Sequence, residues 1–125
     1  MKLRILNDSI RLRFSQSELT MLYETGKVSG VLHFPSAQQF VYSLIRSDDR
    51  DALYAEWADS GIQVFIPKKS VEELATTELV GIDNTIALEE GSLKILVEKD
   101  FKCLTERAED ESDLFKKPLE DKINC

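Results

Sequence analysis

The sequence predicts an α+β domain of about eight mostly antiparallel strands, in a barrel or strongly bent sheet, with two short helices. Three observations point there. Apolar residues alternate with polar or basic ones through most of the chain, the mark of half-buried strands. Two short segments break that alternation and space their apolar residues as a helix does. The order of elements in residues 1–52 then recurs in residues 53–104, each half reading ββαββ.

The elements follow in turn. Leu3 and Ile5 alternate with Lys2 and Arg4, and Ile10, Leu12 and Phe14 alternate with Arg11 and Arg13. The cluster Asn7-Asp8-Ser9 between them is turn chemistry, so the two strands form a hairpin. Ser15-Gln16-Ser17-Glu18 fits a capping box, in which the serine hydroxyl accepts from the amide three residues on and the glutamate reaches back. Leu19, Leu22 and Tyr23 then share one helical face, and Gly26 is a natural stop. Val28–Phe34 and Phe40–Ile45 read as strands joined at Pro35-Ser36, and Ser47 to Asp51 as a polar connector.

The second half repeats the pattern. Leu53–Ala58 reads as a strand and Asp59-Ser60-Gly61 as a turn. Ile62, Val64 and Ile66 give another strand. Pro67 leads into a helix with Val71, Leu74 and Ala75 on one face, where Ser70-Val71-Glu72-Glu73 offers a second capping box. Val80–Leu88 and Leu93–Val97 are the last strands, separated by Glu89-Glu90-Gly91. A shift of 52 residues superimposes the halves without a gap. Leu12 lands on Val64, Leu22 on Leu74, Val28 on Val80, and Val41, Ser43 and Ile45 on Leu93, Ile95 and Val97. Identity is low: only Ile10, Leu22, Thr25, Val28, Leu44 and Asp48 match, so the case for duplication rests on pattern and spacing. At matched positions the charge differs, with Arg4 against Glu56, Arg11 against Gln63, Arg13 against Phe65 and Arg46 against Glu98.

Composition narrows the class. With 42% hydrophobic and 31% charged residues in 125, the chain can build a core, which excludes a disordered chain, a collagen or a disulfide scaffold. A net charge of −7 disfavours nucleic acid and anionic membrane as general partners. The charge is uneven. Residues 1–46 carry six bases and three acids, net +3, whereas residues 47–125 carry ten bases and twenty acids, net −10. Cys103 and Cys125 do not make a zinc signature, and no apolar run approaches the roughly 20 residues of a membrane helix. Met1-Lys2-Leu3-Arg4 is not followed by an unbroken apolar region, so the expectation is a cytoplasmic chain. Residues 1–104 are expected to form one domain and residues 105–125 an acidic, flexible tail.

The chemistry the residues allow is limited. His33 is the single histidine, on a strand, with no G-x-S-x-G elbow to serve. There is no P-loop and no G-x-G-x-x-G. No catalytic residue, metal ligand or cofactor is assigned. The sharpest candidate is the basic row Lys2, Arg4, Arg11 and Arg13, whose members share one face of the first hairpin and suit a phosphate or carboxylate. Whether that face lines a barrel lumen or the outside is open at this stage. A second candidate is the acidic run Asp110, Glu111 and Asp113 before Leu114 and Phe115, a pattern that suits a partner protein.

Two stretches carry a resemblance: Ser9-Ile10-Arg11-Leu12-Arg13-Phe14-Ser15-Gln16-Ser17-Glu18, and Leu96-Val97-Glu98-Lys99-Asp100-Phe101-Lys102-Cys103-Leu104 followed by Glu109-Asp110-Glu111-Ser112-Asp113. They resemble a family of small bacterial proteins classed as a domain of unknown function. That resemblance implies a bacterial, cytoplasmic origin and transfers no activity. The duplicated halves are also similar, at the level of fold alone, to the CYTH-like triphosphate-tunnel barrels. Those enzymes open on an alternating E-x-E-x-K strand; here the first strand is Lys2-Leu3-Arg4-Ile5-Leu6, without carboxylates. The expectation is a binding protein for a small anion or a protein partner, with a phosphate-ester or triphosphate-processing enzyme as the alternative.

Overall fold

Alternation decides which face of a strand is apolar, and pairing register decides which faces meet. A computed structural model describes residues 1–101. Its elements are β1 (Lys2–Leu6), β2 (Ser9–Phe14), α1 (Gln16–Thr25), β3 (Lys27–Phe34), β4 (Gln38–Ser47), β5 (Tyr54–Ala58), β6 (Gly61–Pro67), α2 (Lys68–Thr76), β7 (Gly81–Ala87) and β8 (Ser92–Lys99). The eight strands and two helices are those the sequence predicts, and the α+β class holds.

The strands make two four-stranded sheets, ordered β1-β2-β8-β7 and β3-β4-β6-β5. No barrel closes among the described residues, which corrects the barrel expectation. Each sheet instead joins one hairpin from each half of the chain through a central parallel pair, β2 with β8 and β4 with β6. The outer pairs are antiparallel. Closure is not needed to bury the apolar faces, because the two sheets and the helices bury them against one another in a single core.

That core is centred on the parallel pairs. Leu12 lies opposite Val97 in the first sheet and Leu44 opposite Val64 in the second, and all four are 0% exposed. Phe14, Ile66 and Ile95 extend the cluster, with Leu22 from α1 and Val71 and Leu74 from α2. The helices touch each other and rest on β3, β4 and β6. Two hydrogen bonds tie the sheets beyond the core. Tyr42 donates its hydroxyl proton to the Met1 carbonyl at 2.9 Å, and Asn84, on the apolar face of β7, donates Nδ2–H to the Leu53 carbonyl at 2.8 Å.

Exchanging β1, β2, β3 and β4 for β5, β6, β7 and β8 turns one sheet order into the other. Lys2 faces Arg13 as Tyr54 faces Phe65, which keeps the offset of 52 through both hairpins. Beyond the helices the offset grows. Val97 now answers to Leu44, and Ile82 to Val28, so the gapless alignment fails there by one and two residues. Val80 accordingly lies outside β7.

The helix ends also separate expectation from structure. Ser15 caps α1 as a full capping box: its hydroxyl accepts from the Glu18 amide at 3.3 Å and Glu18 accepts from the Ser15 amide at 2.8 Å. Gly26 closes the helix at φ 87°, a left-handed turn that glycine takes without strain. By contrast α2 begins at Lys68, directly after Pro67, and has no side-chain cap. Ser70 is already inside the helix, so the second capping box does not form. Proline fixes a backbone angle suited to a helix start and moves the boundary upstream.

Candidate functional site

Because Leu12 and Phe14 face the core, Arg11 and Arg13 must face away from it. Register does the rest. Arg11 lies directly opposite Arg4, and Arg13 opposite Lys2, so four cations share the outer surface of the first sheet. They surround a concavity of about 220 Å³ lined by Lys2, Leu3, Arg4, Arg11 and Arg13. The four residues the sequence singles out are therefore brought together, on an outer sheet face.

Side chains directly opposite on neighbouring strands approach closely, and like charges there destabilise the sheet. The parallel partner strand supplies the counter-charge. Arg13 lies opposite Glu98 on β8. A single carboxylate oxygen, Glu98 Oε1, accepts from Arg11 Nε at 2.7 Å and from Arg13 Nε at 2.9 Å, and lies 2.5 Å from Arg11 Nη2. Lys2 Nζ pairs with Asp100 at 2.8 Å, just past the end of β8. Arg4 is exposed and has no ionic partner among the described residues. Four cations thus meet two carboxylates, and the surplus sits at Arg4.

Burial alone would push the Glu98 carboxyl up. The hydrogen bonds from Arg13 and Arg11, with their charges, outweigh that and hold it below its ordinary value of 4.5. A carboxylate so engaged is a weak proton acceptor. Its role is to position two guanidinium groups, leaving their other N–H donors for a ligand.

The equivalent face of the second sheet has different chemistry. Tyr54 and Phe65 stand where Lys2 and Arg13 stand in the first, and Glu56 and Gln63 where Arg4 and Arg11 stand. Arg50 covers them, its guanidinium 4.1 Å from the Tyr54 ring centre and 5.1 Å from that of Phe65. The fold therefore does not require cations at this place. A larger concavity, about 660 Å³, lies beside the start of α2, where Arg50, Lys68 and Lys69 are balanced by Asp48, Asp51 and Glu72. Balanced charge gives it no preference for an anion.

Three other sequence expectations find their places. His33 is exposed on β3. Trp57 is 81% exposed on the edge strand β5, and Tyr54 lies under Arg50. Asp110, Glu111, Asp113, Leu114 and Phe115 lie outside the described residues, as do Cys103 and Cys125. What sequence reasoning missed is Glu98 and Asp100, because Glu98 is matched to Arg46 in a gapless alignment; the register gives Ile45 instead. Among the described residues no group of three or more His, Cys, Asp or Glu could hold a metal ion, and no helix is long and apolar enough to cross a membrane.

Comparison with curated proteins and with solved structures finds no match. A family model does match, over residues 1–119, and so spans both sheets, both helices and the basic face. The chain belongs to the family of unknown function DUF7009.

Proposed function

We propose that this protein is a binding module for a small phosphate-type anion, held on the outer face of the first sheet by Lys2, Arg4, Arg11 and Arg13. One observation carries the reading: at the same place in the second sheet the fold is served by Tyr54, Phe65, Glu56 and Gln63, so the basic row answers to a ligand and not to the scaffold. The symmetric exchange of hairpins supports an origin by duplication of a ββαββ unit, after which one copy of the face became basic. Glu98 keeps Arg11 and Arg13 extended side by side, and Arg4 faces Arg11 across the hairpin. An anion seated between Arg4 and Arg11 would relieve their mutual repulsion and accept from both forks.

Isothermal titration with pyrophosphate tests the proposal. Wild type is expected to bind one equivalent, and Arg4→Gln, at an exposed position, is expected to weaken binding by about tenfold, or ~1.4 kcal/mol. No binding by wild type at about 10 mM ligand, a concentration that detects affinities weaker than −4 kcal/mol, would reject it.

A further inference from the structure

The two sheets have four edge strands among them, β1, β7, β3 and β5. An open edge presents unpaired N–H and C=O groups to any strand that approaches, and proteins blunt such edges with charge or shortness. Three of the four are blunted in this way. β1 has five residues and carries Lys2 and Arg4; β5 has five and carries Glu56; β7 carries Asp83. β3 differs. It runs for eight residues with no proline, and Val28 to Phe34 contains no Asp, Glu, Lys or Arg. It also exposes apolar surface on both faces, with Val31 45%, Leu32 54% and Phe34 51% exposed.

We infer that β3 pairs antiparallel with β3 of a second copy of this chain about a two-fold axis at Val31, giving a continuous eight-stranded sheet. Charge complementarity selects the occupant. At net −7, copies of this chain repel over most of their surface. An axis at Val31 brings together only Val28 to Phe34 of each copy and places no charge opposite a like charge. In that register Val31 meets its own copy, Ser29 meets His33, Gly30 meets Leu32 and Val28 meets Phe34.

The Gly30–Leu32 pairing has a structural reason. Tyr42 lies across Gly30, and a Cβ there would stand 2.3 Å from the Tyr42 ring. The ring thereby occupies the space of the missing side chain, next to the open edge. Leu32 of the second copy, arriving opposite Gly30, would pack against that ring. The contact is isologous, so it occurs twice and closes at two copies.

The test is light scattering coupled to size exclusion on the full chain. Wild type at about 200 µM, enough to populate a dimer of micromolar affinity, is expected to run as a dimer. Val31→Lys and Val31→Glu, each placing like charges on the axis, are expected to be folded by circular dichroism and monomeric. An equimolar mixture of the two is expected to restore the dimer, because lysine then faces glutamate. Monomeric wild type, a folded Val31→Lys that remains dimeric, or a mixture that stays monomeric would each overturn the inference. None of these results depends on anion binding, since β3 lies in the sheet that does not carry the basic row.

Discussion

Replacing Glu98 with glutamine should lower stability and raise affinity for anions together, and the structure sets the size of the first effect. Glu98 is 15% exposed and its arginine partners 31% and 23%, so the cluster is neither a surface pair nor a buried one. Exposed ion pairs contribute about 0–1 kcal/mol and hydrogen bonds to charged groups about 1.5–3. Glutamine keeps an acceptor oxygen and loses the charge, which leaves two weakened bonds and an unneutralised pair of arginines facing Arg4. A loss of about 1.5 kcal/mol follows, or roughly 6–12 °C in melting temperature for a domain of this size.

Thermal unfolding at neutral pH and low salt would measure it, with and without phosphate. Phosphate should recover part of the loss, since ligand at ten times its dissociation constant contributes about 1.4 kcal/mol. A melting temperature within about 2 °C of wild type would refute the assigned role of Glu98, being less than the smallest shift expected. So would a larger phosphate effect on wild type than on Glu98→Gln.

The remaining predictions concern pH, packing and the contrast between the two faces. Glu98 is held below its ordinary value, so its stabilisation is complete above 4.5 and is lost as pH falls through the lower, folded value; the gap between wild type and Glu98→Gln should close on acidification, as melting curves from pH 7 downward would show. Leu44→Ala, at a fully buried position opposite Val64, should cost about 2–5 kcal/mol in denaturant unfolding. Ser15→Ala removes the cap of α1 and should cost about 1 kcal/mol by the same measurement. Arg50→Ala should uncover Tyr54 and Phe65 at a cost of about 1 kcal/mol while leaving pyrophosphate binding by calorimetry unchanged.

The faces of the strands were legible in the sequence, and their partners were not. Alternation at Ile10, Leu12 and Phe14 is local information, and it correctly sends Arg11 and Arg13 to the opposite side. The cap at Ser15 and Glu18 is equally local. Pairing of β2 with β8 joins residues more than eighty positions apart, as Arg13 and Glu98 are, and nothing in a period-2 pattern specifies it. Missing that pairing meant missing both the open sheets and the carboxylates that organise the basic row. The drift from 52 to 54 residues between the halves hid the same thing: Val28 matches Val80 in sequence, but Ile82 does its work in the core. The start of α2 was misplaced for a different reason, since a proline at the boundary outweighs a serine three residues later.

The most direct test of the anion site is to watch the arginines themselves. In a titration of the folded protein with pyrophosphate, followed by NMR of the arginine Nε–H groups, the resonances of Arg4, Arg11 and Arg13 should shift and saturate together. Arg50, on the other sheet, should stay in place. Shifts confined to Arg50, or none at about 10 mM ligand, would contradict the assignment of the basic face as the site.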